Sequence, residues 1–179
     1  SEPFRDFTAD DLNKVAFWNA TGSGKTLLLH VNIKQYLNYF QAGHADSHPD
    51  KIILLTPNEG LSRQHLEELT LSGFPAQYFN KNQTLKYPGM IEVIDINKLG
   101  DEMGDKTVAV EAFEGNNLVL VDEGHRGTGK DATAWMRRRN ALVHGGFAFE
   151  YSATFGQAVA KGYTVEMAEL EVQKKRAKM

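Results

Sequence analysis

The chain has 179 residues, 41% of them apolar, and a formal net charge of −3, which suits one sizeable packed domain and is short for two. It contains no cysteine, so disulfides and thiolate zinc sites are excluded and a reducing, cytoplasmic setting is the expectation. No apolar run reaches membrane-spanning length and the opening residues do not read as a signal peptide. The weakly acidic balance supplies no global field for nucleic acid, although a local strip of donors suffices for backbone phosphates.

Thr8 before Ala9-Asp10-Asp11 reads as a helix N-cap with acidic residues in its first turn. A first strand is expected over Val15–Asn19, followed by the glycine-rich turn Ala20-Thr21-Gly22-Ser23-Gly24 and then Lys25-Thr26 opening a helix. That helix carries Leu28, Val31 or Asn32, Gln35, Leu37 and Phe40, with Tyr36, Tyr39 and Phe40 packing at its far end. Gln41 to Asp50 reads as a surface loop, and its His44, Asp46, His48 and Asp50 read as solvated rather than metal-binding. Lys51–Pro57 is a continuous apolar run stopped by proline, as buried parallel strands are. Asn58 to Leu71 follows as a helix with Leu61, His65, Leu66 and Leu69 on one face, ended by Gly73.

Short strands are expected over Ala76–Phe79 and Met90–Ile96, while Val108–Phe113 reads equally as a strand edge or a short helix. Leu118-Val119-Leu120-Val121 is the clearest buried strand and ends in Asp122-Glu123-Gly124-His125. Asp131 to Val143 reads as a helix, Phe147–Tyr151 as a last strand running into Ser152-Ala153-Thr154, and Thr164 to Met179 as a charged helix. Strands alternating with helices predict a three-layer α/β domain around a mostly parallel sheet.

The strand–glycine turn–helix unit has the chemistry of a phosphate cradle. Gly22 and Gly24 permit the tight turn that aims backbone N–H groups at an anion, and the helix dipole adds positive potential. Lys25 would reach the β- and γ-phosphates and the Thr26 hydroxyl would ligate Mg²⁺, with residues 20–26 enclosing the phosphates of a nucleotide. Asn19 stands where the general pattern has its first glycine. At the end of the later apolar strand, Asp122 can hold the same Mg²⁺ opposite Thr26, and Glu123 can orient the attacking water.

These motifs together resemble the superfamily 2 helicases and translocases. Ala20-Thr21-Gly22-Ser23-Gly24-Lys25-Thr26 is similar to their P-loop variant and Asp122-Glu123-Gly124-His125 to the Asp-Glu-x-His form of motif II. Ser152-Ala153-Thr154 resembles motif III, and Thr56-Pro57-Asn58 with Gln64 resembles motif Ia. Trp18-Asn19-Ala20-Thr21-Gly22-Ser23-Gly24-Lys25-Thr26 and Asp-Glu-Gly-His look closest to the helicase subunits of type III restriction enzymes. The resemblance implies a RecA-like P-loop NTPase domain over residues 1–156, with residues 157–179 as a helical extension or linker. It also implies that His125, Ser152 and Thr154 couple nucleotide state to nucleic acid, and that Thr56 and Asn58 touch a nucleic-acid backbone.

The second RecA-like domain of such motors, with its arginine finger, is expected outside this chain, as are any nuclease or methyltransferase regions. Arg126 and Arg137-Arg138-Arg139 do not stand in a finger context, and the run reads as a solvated helix face. No glutamine precedes the P-loop, so adenine recognition is unassigned. The expectation is an ATP-dependent DNA motor whose isolated first domain is nearly inactive. The competing readings are an RNA helicase domain, a P-loop kinase-like phosphotransferase and a nucleotide- or nucleic-acid-binding module without turnover.

Overall fold

The computed structural model describes residues 12–20, 22–43, 48–80, 87–100, 108–109, 113, 115–123, 132–143 and 145–153. Strand β1 (Lys14–Trp18) leads to helix α1 (Lys25–Gly43), then β2 (Ile52–Thr56), α2 (Glu59–Leu71), β3 (Ala76–Tyr78) and β4 (Ile91–Asp95). A 3-10 turn over Ile96–Lys98 runs into β5 (Leu99–Gly100), which pairs with β6 (Val108–Ala109). Strand β7 (Leu118–Asp122), helix α3 (Ala132–Val143) and strand β8 (Phe147–Ser152) complete the described elements.

Six strands form one sheet in the order β1-β8-β7-β2-β4-β3, and every neighbouring pair is parallel. The continuous apolar runs explain why β2 and β7 lie inside it: both faces of each are covered, so both sets of alternating side chains are apolar. Ile52, Leu54, Leu118, Leu120, Ile91 and Val93 pack with Leu29 and Ile33 of α1 and Leu69 of α2. Ile53, Leu55, Val119, Val121 and Ile94 face the other way, toward Leu142 and Val143 of α3. This is the expected three-layer α/β architecture.

Local chemistry sets the helix limits. Asn58 caps α2, its side-chain oxygen accepting from the Leu61 N–H at 2.9 Å. At the other end the Gly73 and Phe74 N–H groups donate to the Thr70 and Leu69 carbonyls, with Gly73 at φ +78°. That is a Schellman closure, which needs a residue free to enter the left-handed region. Helix α1 runs three residues past Phe40, through residues 41–43, which the sequence pattern assigned to loop. Asn32, not Val31, faces the sheet, and its amide donates to the Tyr151 hydroxyl at 2.8 Å. Tyr36 stacks with Phe40, but Tyr39 points to solvent rather than packing with them.

One further expectation is corrected. Arg139 does not lie on a solvated face: its guanidinium is largely buried and pairs with the Glu150 carboxylate on β8, tying α3 to the sheet. Asn117, just before β7, is a core residue. It is fully buried, and its amide donates to the Phe113 and Leu142 carbonyls. Beside it Gly146 comes so close that an added Cβ would lie 1.9 Å from the Asn117 carbonyl oxygen, so no side chain fits there. The helices expected around Ala9 and from Thr164 onward lie outside the described residues. No helix among the described residues is long and apolar enough to cross a membrane.

Candidate active site

The carboxyl ends of four neighbouring strands, β1, β8, β7 and β2, carry four of the sequence motifs. In an open parallel sheet this edge is where ligands bind, because helix N-termini and connecting loops converge there. The turn after β1 places Gly22 at φ +76° and Gly24 at φ +85°. Neither position has any atom within 4 Å of an ideal Cβ, so backbone conformation rather than crowding requires glycine. The Ser23 N–H closes the turn on the Ala20 carbonyl, and the Leu28 N–H donates to the Gly24 carbonyl as the first helical bond. Helix geometry therefore leaves the N–H groups of Lys25, Thr26 and Leu27 outside the ladder, and α1 has no acidic residue in its first turn to occupy them.

Lys25 crosses from this turn to the end of β7. Its ammonium lies 2.6 Å from Glu123 Oε1 and 4.0 Å from Asp122 Oδ1. Glu123 adopts φ +55°, an uncommon conformation for a side chain of its kind, so the backbone turns sharply as it leaves the strand. The Glu123 N–H donates back to Asp122 Oδ1 at 3.0 Å. On the other side, His65 Nε2 lies 2.9 Å from Asp122 Oδ2, and both groups are buried. Burial opposes the charge on Asp122. The His65 hydrogen bond and charge, Lys25 and the Glu123 amide outweigh it, and the carboxyl sits below the usual aspartate range.

Motif III stands between these two segments. Strand β8 lies between β1 and β7, and its Ser152 is fully buried opposite Trp18. The Asn19 N–H donates to the Ser152 carbonyl at 3.0 Å, and the Trp18 indole N–H to the Ala153 carbonyl at 3.0 Å. Asn19 Oδ1, at the position that departs from the general P-loop pattern, is a buried acceptor with no partner among the described residues.

Thr56 is corrected more sharply. Expected at a nucleic-acid backbone, it is 1% exposed, and its hydroxyl is engaged by Ser62 Oγ at 2.6 Å and by neighbouring carbonyls. Its role here is to fasten the start of α2 to the end of β2. Asn58 is exposed, but its side chain is committed to capping that helix. Asp50, weighed as a metal ligand, accepts from the Asn116 N–H at 2.7 Å and holds a turn together. Thr21, His125, Arg126 and Thr154 lie outside the described residues, as do His44 and Asp46.

The donor set fits a polyphosphate with a divalent cation. It combines left-handed glycines, a helix start free of acidic residues, an ammonium and an ionised aspartate within reach of one another. His65 was missed as part of this constellation. In sequence it is one more residue on the inward face of a helix, far from Asp122, and only the β2–β7 pairing brings the two together.

The sequence matches the family described as type III restriction enzyme, res subunit, over residues 3–157. No curated protein matches it. Among solved structures the fold is similar to S. cerevisiae Dbp5, in a variant form bound to RNA and ADP BeF3. The TM-score is 0.51 at 17% identity, over 89% of this chain and 39% of that one. That likeness speaks for the fold, and the chain spans well under half the length of the solved relative. The family match covers most of the sequence: the chain belongs to the type III restriction enzyme res subunit family, and its fold is that of an ATP-binding domain of helicase type.

Proposed function

We propose that this domain binds ATP with Mg²⁺ at the Gly22–Thr26 turn and forms half of the ATPase site of a DNA-directed motor. The observation that carries this reading is the convergence of Lys25, Asp122 and Glu123 at one sheet edge, from strands separated by β8.

In this reading the N–H groups opening α1, together with the Lys25 ammonium, bind the β- and γ-phosphates. Thr26 and Asp122 hold the cation, and Glu123 orients the attacking water. Bound Mg²⁺ would neutralise charge developing on the phosphates. Lys25 must release Glu123 when phosphate arrives, and that release frees the carboxylate to face water. His125, Ser152 and Thr154 relay nucleotide state toward nucleic acid, and a second RecA-like domain elsewhere in the protein supplies the remaining charge stabilisation. Residues 1–156 would constitute the first motor domain and residues 157–179 the passage to the second.

The Dbp5 relative holds RNA and an ADP BeF3 group on the same fold, which supports nucleotide and nucleic-acid binding as a class. Membership of a restriction-enzyme family supports DNA as the track. The deciding experiment is ATP hydrolysis by the full-length protein with duplex DNA, single-stranded DNA and RNA. Stimulation by DNA is the expected result. Preferential stimulation by RNA overturns the choice of track, and turnover indifferent to all three overturns the motor reading.

A further inference from the structure

Two donors from different parts of the chain grip the two oxygens of Asp122. The Glu123 backbone N–H engages Oδ1 at 3.0 Å, and His65 Nε2 engages Oδ2 at 2.9 Å from across the β2–β7 pair. A carboxylate with one donor swings about its Cβ–Cγ bond, whereas one held at both oxygens by rigid elements does not. The element that brings His65 is rigid for reasons already given. Helix α2 is capped by Asn58, fastened at its start by the Thr56–Ser62 contact and closed at its end around Gly73.

The acceptor here is an ionised carboxylate, so Nε2 carries a proton toward it, and Nδ1 is the ring atom left over. Nδ1 is buried and has no partner among the described residues. A buried polar atom without a partner works against folding, and an apolar side chain at position 65 would avoid that penalty. The advantage of histidine at this point is therefore its contact with Asp122.

We propose that His65 is a positioning residue that orients the Asp122 carboxylate for the divalent cation of the nucleotide site. The role rests on the nucleotide reading above and adds to it a residue outside the recognised motifs. Hydrogen-bonding partners of metal-binding carboxylates and histidines commonly contribute about 10–100-fold to metal affinity.

The test uses the full-length protein and a fluorescent ATP analogue titrated at increasing Mg²⁺. Each variant is measured against its own metal-free binding. His65→Leu should raise the Mg²⁺ concentration for half-maximal effect by about tenfold or more. His65→Gln, which keeps an N–H donor, should recover most of that loss. An unchanged midpoint in His65→Leu overturns the proposal. A wild-type protein with no Mg²⁺-dependent nucleotide binding overturns the nucleotide reading and, with it, the metal role.

The contact itself is read separately, without altering position 65. In ring ¹⁵N spectra of this domain, Asp122→Asn should shift the His65 Nε2 resonance and expose its N–H to exchange. An unmoved resonance refutes the contact even if His65→Leu fails to fold.

Discussion

Glu123→Gln should tighten nucleotide binding while removing hydrolysis. In the structure the Lys25 ammonium sits 2.6 Å from Glu123, with side-chain exposures of 17% and 23%. At an effective dielectric of ~20 the bare attraction across that distance is roughly 6 kcal/mol, most of it cancelled by the desolvation of two partly sheltered charges. A charge-assisted hydrogen bond nets about 1.5–3 kcal/mol, and glutamine retains a neutral contact of about half that strength. Phosphate must displace Glu123 from Lys25, so the variant lowers the cost of entry by about 0.75–1.5 kcal/mol, or roughly four- to thirteenfold in affinity. Losing a negative charge beside the phosphates acts in the same direction.

The left-handed backbone at residue 123 is equally unfavourable for glutamate and glutamine, so it drops out of the comparison. The assay pairs equilibrium binding of a fluorescent ATP analogue with ATP turnover by the full-length protein, where hydrolysis should fall by at least about 100-fold. Binding unchanged within twofold, or weakened, would refute the idea that Lys25 is passed from Glu123 to phosphate. Retained turnover would remove Glu123 from the chemistry.

Lys25→Ala should abolish detectable nucleotide binding in the same titration, and wild-type affinity would sink the site assignment. Gly146→Ala places a methyl 1.9 Å from the Asn117 carbonyl oxygen, where only backbone can yield, so thermal or chemical unfolding should report a loss of roughly 3 kcal/mol or more. A loss below about 1 kcal/mol would show that the Asn117–Gly146 approach is loose. His30 gives a pH prediction. Burial lowers its pKa, as do His65 and Lys34, against an opposing pull from Glu68. A lowered histidine pKa means that the unfolded chain takes up the proton first, so this contribution is complete above about pH 6.5 and fades as pH falls toward the folded value. The melting temperature should therefore drop between pH 7 and pH 5, and His30→Gln should flatten that decline. Equal slopes for the two proteins would exclude His30 as the source.

The framework was legible because it depends on patterns that few other structures share. Leu118–Val121 and Ile52–Leu55 are apolar at every position, which only a strand covered on both faces requires. The glycine turn and the Asp122-Glu123 pair announced themselves by residue type at the ends of such strands. What could not be read were partnerships between polar residues distant in sequence. Arg139 within a run of arginines resembles solvent-facing charge until β8 presents Glu150 beneath it. Thr56 at a strand end resembles a phosphate donor until Ser62 turns its hydroxyl inward. Asn117 beside Gly115 and Asn116 looks like an ordinary turn, yet it satisfies two carbonyls in the core. In each case the amino acid suits two environments, and packing chooses between them.

The position of β8 has a mechanical consequence. Its backbone is stitched to β1 on one side and β7 on the other, and its exit carbonyls at Ser152 and Ala153 accept from Asn19 and Trp18. A tug on the chain leaving Ala153 therefore reaches the entrance of the phosphate loop through two hydrogen bonds of 3.0 Å, one from the Asn19 backbone N–H and one from the Trp18 indole. If the domain works in a motor as proposed, load and nucleotide would share this one short linkage, and resistance would register as a shift in how tightly the nucleotide is gripped.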